Sequence, residues 1–222
     1  MKAVILLSGG LDSATAAAVA RSRGLVLYAL TFDYNQRHKK ELSCAQKVGH
    51  SLGVQDHQFV ELHLPKLNSA LVDTSIPIPK GCSRQIIPET YVPARNVIFL
   101  SIAAAHAESI GAIDIFVGVN AIDYSGYPDC RPEFIEAFQT ALNVGTKTAI
   151  MGKPFVIHTP LIKLTKGEII KWGISLGIDY SLTWSCYQGG EKACGECDSC
   201  LLRQKGFQEA GINDPLEYCH IS

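Results

Sequence analysis

The stretch Ala3-Val4-Ile5-Leu6-Leu7-Ser8-Gly9-Gly10-Leu11-Asp12-Ser13-Ala14-Thr15-Ala16-Ala17-Ala18 decides the fold. Five apolar residues are too few for a helix of their own and suit one buried strand, cut off by Ser-Gly-Gly. The alanine-rich residues 13–23 follow with strong helix propensity and stop at Gly24. Strand, glycine loop and helix therefore succeed one another within about twenty residues. Outward from this unit the rhythm repeats, with a strand at 26–32, a helix at 39–52 closed by Gly53, and a strand at 58–62. Such alternation implies a parallel sheet with crossover helices.

Residues 63–93 break the pattern, because Pro65, Pro77, Pro79, Pro88 and Pro93 exclude a long helix. A loop-rich excursion of this kind is a candidate cover for an active site. Beyond it come a helix at 96–109, a strand at 113–117, a helix at 132–143 opened by Pro132, a strand at 155–158 and a helix at 166–176 stopped by Gly177. The expectation is an α/β, doubly wound, mostly parallel sheet over residues 1–180, with a small C-terminal metal-binding lobe over residues 181–222.

Composition narrows the function classes. With 222 residues, 47% hydrophobic and 18% charged, the chain is globular and has room for one well-buried core. Its formal net charge of -1 lacks the basic excess of a protein that grips many phosphates, which favours a small-molecule substrate over nucleic acid. The apolar run at 3–7 is too short for a secretory or membrane segment, so a cytoplasmic enzyme without membrane association is expected. Eight cysteines in a chain of this size do not read as a secreted disulfide framework, and reduced thiols are expected. Nothing in the sequence fixes the oligomeric state, and a homodimer stays open.

The loop carries the first chemistry. Between a buried strand and a helix, backbone N–H groups freed by two glycines converge with the helix dipole on an anion. Leu7, Ser8, Gly9, Gly10, Leu11, Asp12, Ser13, Ala14, Thr15, Ala16 and Ala17 form the candidate nucleotide-binding segment. Ser8 and Ser13 add hydroxyl donors, while the acidic Asp12 suits a magnesium-side or orienting role. The segment has neither the Gly-Lys-Ser/Thr ending of a Walker A loop nor the Gly-x-Gly-x-x-Gly of a dinucleotide fold. Its plain alternative is a glycine-rich turn that caps a helix. Ser8-Gly9-Gly10-Leu11-Asp12-Ser13 resembles the PP-loop of the ATP pyrophosphatases, and that resemblance implies ATP cleavage between the α and β phosphates, with AMP passed to a substrate oxygen.

Near the C-terminus, Cys186, Cys194, Cys197 and Cys200 follow Cys-x7-Cys-x2-Cys-x2-Cys, with Gly189, Gly190 and Gly195 allowing tight turns. Four thiolates in a closed shell suit one structural zinc, which staples the chain and leaves no position for a reacting water. An iron–sulfur cluster is the competing reading, although the fourth cysteine lies upstream and no Cys-Pro follows. Unliganded or redox-active cysteines remain a third. Cys44 falls within a helix and reads as a small buried apolar residue; Cys82 and Cys219 carry no usable pattern.

Polar clusters stand where the strands should end, the ligand-binding side of an open parallel sheet. They comprise residues 32–38, 92–96, 117–120, 123–134 and 159–166. Arg95 and Lys163 are candidates to neutralise phosphate charge as pyrophosphate departs. Asp123 and Asp129 are candidates to hydrogen-bond a nitrogen-rich heterocycle, with Tyr124 or Tyr127 stacking on it. With Asp12 and Ser13, the residues Arg95, Asp123 and Lys163 make up the candidate catalytic set. Each taken singly also fits an exposed loop residue or helix cap, and His38 fits a loop histidine as well as a base.

Together these segments, above all residues 123–134 beside Cys186-Tyr187, resemble the 7-cyano-7-deazaguanine synthases, the nitrile-forming PP-loop enzymes of the queuosine pathway. The resemblance runs from Ser8 to Gly206, with one departure at Asn35, where the family's Phe-Asp-Tyr-Gly-Gln-Arg-His stretch has glycine. It implies conversion of 7-carboxy-7-deazaguanine, ammonia and ATP, with Mg2+, to the nitrile. Two rivals are a PP-loop tRNA sulfurtransferase, which needs a persulfide-carrying cysteine such as Cys130, and a nucleotide sensor with a zinc-based interaction module.

Overall fold

The computed structural model describes residues 1–65, 67–81, 87–120 and 126–219. Five parallel strands, β1 (Lys2–Leu6), β2 (Val26–Asp33), β3 (Asp56–Glu61), β4 (Asp114–Phe116) and β5 (Val156–His158), form one sheet in the order β3-β2-β1-β4-β5. In register, β1 lies centrally with Ala3 opposite Leu27 on one side and Asp114 on the other. Strand order therefore reverses at β1, and the crevice beyond the carboxyl ends of β1 and β4 is the switch point where such sheets hold ligands.

Alternation along β1 shows why the run is continuously apolar. Ala3, Ile5 and Leu7 enter one core, while Val4 and Leu6 enter another across the sheet. The first core is covered by α1 (Leu11–Ser22), α2 (Lys40–Ser51), α6 (Lys166–Ser175) and α7 (Asp198–Ala210); the second is covered by α3 (Arg95–Ile110) and α4 (Pro132–Gly145), with the short α5 (Lys147–Ile150) beyond. A strand buried on both faces has no polar side to alternate with. Helix α1 is alanine-rich for a related reason: residues Ala14 to Ala20 are all buried, sandwiched between the sheet and α6. Buried Thr15 is satisfied there by Leu11 O at 2.9 Å and by the Tyr180 hydroxyl at 2.7 Å.

The predicted strands and helices fall within a few residues of these spans, and the sheet is parallel at every pairing. Besides the short α5, helix α7 is the element that the sequence reading did not anticipate. Its residues Asp-Ser-Cys-Leu-Leu-Arg-Gln-Lys-Gly-Phe-Gln-Glu-Ala lack a clear apolar stripe, and Gly206 interrupts them. That glycine is required by packing, since a Cβ there would lie 2.3 Å from Lys166 Cγ on α6. Among the described residues, 62–94 contain no helix or strand, as the prolines imply. The segment is pinned instead by Arg37, whose Nη2 donates to Ile76 O at 2.9 Å and Asp73 O at 3.3 Å.

Candidate active site

Close backbone packing and a set of serine hydrogen bonds shape the loop between β1 and α1. Gly9 takes φ +82°, and a Cβ there would lie 2.3 Å from Glu41 O and 2.6 Å from Ala45 N. Only glycine lets the loop tuck so tightly under the first turn of α2. Ser13 Oγ donates to Gly10 O at 3.0 Å and accepts from Ser8 N at 3.2 Å, with Ser8 Oγ 3.1 Å away. The turn is thereby locked with Gly10 as the N-cap of α1. Gly118, just beyond β4, presses on the same turn from the other side, where a Cβ would meet Asp12 C at 2.7 Å. Ala14 N closes the first helical bond, to Gly10 O at 3.1 Å, so the amides of Leu11, Asp12 and Ser13 have no partner within the helix.

The crevice opens into a cavity of ≈ 310 Å³. Leu7, Ser8, Gly10, Leu11, Asp12 and Ser13 form its floor, and Arg95, Tyr127, Tyr187, Glu41, Trp184 and Lys166 stand around it. Arg95 begins α3 immediately after Ala94, a non-glycine residue held at φ +55°. Its guanidinium donates to the Tyr34 hydroxyl at 3.3 Å. A short-side-chain residue in the left-handed region is uncommon, and here it turns the chain sharply into the helix that presents Arg95.

Several candidate residues are placed differently. Lys163 is exposed and outside the cavity lining; the cation at the loop is Lys166, whose Nζ donates to both Asp12 carboxylate oxygens at 2.8 Å. A Thr165–Glu168 capping box starts α6 at residue 166, and Asn120 Nδ2 holds the preceding turn through Leu161 O and Leu164 O. Asp12 is thus engaged by a lysine. Ala14, Thr15, Ala16 and Ala17 are buried behind the loop, and Gly9 too lies outside the lining. Asp123 and Tyr124 lie outside the described residues, as does Cys82. Asp129 is buried at 6% exposure and accepts from Asn96 N at 2.9 Å, which caps α3. His38 packs against Gly189 of the cysteine segment rather than lining the cavity.

Sequence reasoning missed Glu41 and Arg203, and reached Lys166 only as the end of the 159–166 cluster, without a role. Arg203 is 2% exposed and binds Asp214 through Nε and Nη2, Thr183 Oγ1 at 2.8 Å and Tyr180 O at 3.1 Å. A buried guanidinium so fully bonded ties α7 to the segment that forms the cavity wall. Glu41 sits in the first turn of α2, and burial pushes its carboxyl up to about 7 against the pull of Arg95. The available signal was its place shortly after the polar 32–38 cluster at a strand end.

The four predicted cysteines do converge. The sulfurs of Cys186, Cys194, Cys197 and Cys200 all lie within 4.8 Å of one another, and Cys194 and Cys200 are 3.9 Å apart. A tetrahedron with metal–sulfur bonds of about 2.3 Å has edges of about 3.8 Å, so the donor set fits one metal ion. Amides of Gln188 and Cys194 point at Cys186 Sγ at 3.4 and 3.3 Å, and Cys197 N points at Cys194 Sγ at 3.4 Å. Such amides favour thiolates. Bonds from its neighbours hold Cys186 well below the ordinary thiol range and push Cys197 up to about 12, so four thiolates need a cation. Cys44 is buried against this cluster, as a small apolar residue should be.

A parallel sheet of this order with its Ser-Gly-Gly-Leu-Asp-Ser loop at the switch point defines a PP-loop ATP pyrophosphatase fold. A 4-thiouridine synthetase solved with RNA and bound ATP shares the fold, with a TM-score of 0.52 and 18% identity over 95% of this chain and 50% of that one. The family described as "Queuosine biosynthesis protein QueC" matches residues 2–211. Proteins named 7-cyano-7-deazaguanine synthase from Geobacter sp. (strain M21) and Pseudomonas syringae pv. syringae are 56% and 55% identical, covering 98% of this chain and 97% and 96% of theirs. The chain belongs to the QueC family.

Proposed function

We propose that the chain converts 7-carboxy-7-deazaguanine, ammonia and ATP to 7-cyano-7-deazaguanine, a step of queuosine biosynthesis. The observation that carries this reading is one cavity shared by a phosphate loop, a cation engaged with that loop, and an arginine among tyrosines. On this reading the α1 amides with Ser8 and Ser13 hold the ATP phosphates, and Asp12 would help to hold Mg2+, which would offset their charge. Lys166 and Arg95 offset charge as pyrophosphate leaves, and Lys163 is released from that role. Tyr127 and Tyr187 offer faces for a flat heterocycle; Asp123 remains a candidate to read its edge.

The chemistry needs two activations. A carboxylate is a poor acyl donor until adenylated, after which ammonia displaces AMP to give the amide. Adenylation of the amide oxygen then makes AMP a leaving group again, and loss of the N–H protons yields the nitrile. Residues 1–180 carry the phosphate loop and most of the cavity, to which Trp184 and Tyr187 add a wall. Residues 181–222 hold a structural zinc in the four-cysteine set, whose closed shell leaves no site for a reacting water.

The sulfurtransferase alternative fares worse at Cys130, the cysteine it requires. That thiol is 9% exposed, and burial, aided by the charge of Asp129, pushes it up to about 12. A nucleophilic thiolate needs the opposite environment. A formal net charge of -1 also speaks against tRNA. Among the described residues no helix is long and apolar enough to cross a membrane, in keeping with a cytoplasmic enzyme. Purified protein given the carboxylate, ATP and ammonium should yield the nitrile by mass spectrometry, with about two ATP consumed per nitrile. Absence of the nitrile would reject the reading.

A further inference from the structure

The reaction proposed above releases protons, and it needs a group in the cavity to receive them. Of the cavity carboxylates, Asp12 is held in both oxygens by Lys166, and Asp198 begins α7 at 4% exposure. Glu41 differs from both. It projects into the cavity from the first turn of α2, beside Arg95, and among the described residues its carboxylate accepts no hydrogen bond.

The other titratable groups lining the cavity are poorly suited to accept a proton at neutral pH. Burial raises Tyr34, Tyr127 and Tyr187 above the ordinary phenol range, and Cys130 rises to about 12. No histidine lines the cavity among the described residues. Arginine and lysine are donors only.

Resting on the proposed reaction, we infer that Glu41 is the proton acceptor of the nitrile-forming step. As the amide oxygen attacks the α phosphorus, the O–P bond forms and the bond to pyrophosphate breaks, leaving a protonated imidate. Glu41 takes one N–H proton. The C–O bond then breaks with its electron pair passing to AMP, the second N–H proton goes to the departing phosphate, and the C≡N bond is complete. Glu41 returns its proton to solvent. A neutral-pH acceptor has to release a proton as readily as it binds one, which burial of this carboxyl, with its shift to about 7, provides. The environment disfavours the ionised carboxylate, so glutamine is an easy substitute for folding. A carboxyl raised from 4.5 to about 7 by the fold loses stability as pH rises through that window. Glu41→Gln should therefore melt no lower than the native chain above about pH 7.

The test supplies the primary amide and ATP to the full-length protein and follows pyrophosphate and nitrile separately in a single turnover. For Glu41→Gln, pyrophosphate should appear at a rate within about threefold of the native protein, KM for the amide should hold, and nitrile should form about 100-fold more slowly. Glu41→Asp should recover part of the nitrile rate. A native nitrile rate in Glu41→Gln overturns the inference. So does an equal fall in pyrophosphate and nitrile, or a raised KM with kcat intact, which would make Glu41 a binding group. Should Glu41→Gln fail to fold, the same split in Glu41→Asp decides: a nitrile-selective loss supports the inference and a parallel loss overturns it. If the native protein itself makes no nitrile, the proposed reaction fails before Glu41 is at issue.

Discussion

The phosphate loop and the cysteine cluster are joined through Trp184, whose N donates to Gly9 O and whose Nε1 donates to Cys186 O, both at 2.9 Å. The loop is built from backbone: its shape depends on residues that lack side chains, at Gly9 and Gly118. The cluster is built from four side chains between Cys186 and Cys200, and backbone bridges at Lys80–Cys197 and Ala193–Tyr218 attach two further segments to it. The first leaves no room for an added atom at Gly9 or Gly118, whereas the second lies outside the cavity lining and gathers four sulfurs that fit one metal ion. Damage to the two should therefore separate turnover from stability.

Gly9→Ala is the severest break on the loop side, because both the positive φ and the 2.3 Å approach to Glu41 O oppose a Cβ. Pyrophosphate release should fall more than about 100-fold, a loss of the size expected when aligned donors are displaced. Native turnover in that variant would remove the loop from catalysis. On the cluster side, Cys197→Ser should lose the metal, measured as about one zinc per native chain, and lower Tm together. Full metal content in Cys197→Ser, or iron in place of zinc, would break the structural-zinc side of the comparison.

Lys166→Ala and Lys163→Ala form a sharper pair, three residues apart. The first removes the cation held by Asp12 and should slow turnover about 100-fold; the second alters an exposed side chain and should change nothing measurable. Equal kinetics would show that the ion pair is only structural. A further expectation concerns pH. Glu41 acts ionised, so kcat/KM should decline as pH falls below about 7. Arg95 lowers that value and Cys186 raises it, while Tyr34 faces the same space. A flat profile through neutrality in the native protein, or a limb that persists unchanged in Glu41→Gln, would separate Glu41 from the rate.

The smallest effect belongs to Asn35, which occupies φ +63° where the family's stretch has glycine. Asparagine tolerates that left-handed geometry better than other side chains, and its N donates to Asp33 Oδ1 at 3.2 Å. Asn35→Gly should keep native activity and shift stability by less than about 1 kcal/mol, read by thermal denaturation.

The same contrast explains what the sequence made legible. The loop and the cysteines were readable because each is nearly contiguous, so spacing alone reports which atoms can meet. Residues that complete the cavity come from distant elements. Lys166 reaches Asp12 across 154 positions, and only the start of α6 set by Thr165 and Glu168 decides that it, and not Lys163, arrives there. Arg203 lay hidden in a helix without an apolar stripe, and Glu41 in the first turn of a helix whose existence was predicted but whose facing was not. Asp129, a candidate either to hydrogen-bond the heterocycle or to cap a helix, accepts from Asn96 N, a contact that nothing local in the sequence announces.

The central claim, that one phosphate loop activates two oxygens in succession, is tested most directly with the synthetic primary amide and ATP alone, without ammonium. The account predicts nitrile, with AMP and pyrophosphate in about equal amounts because cleavage falls at the α phosphate. An amide that does not react, or ADP in place of AMP, would contradict it.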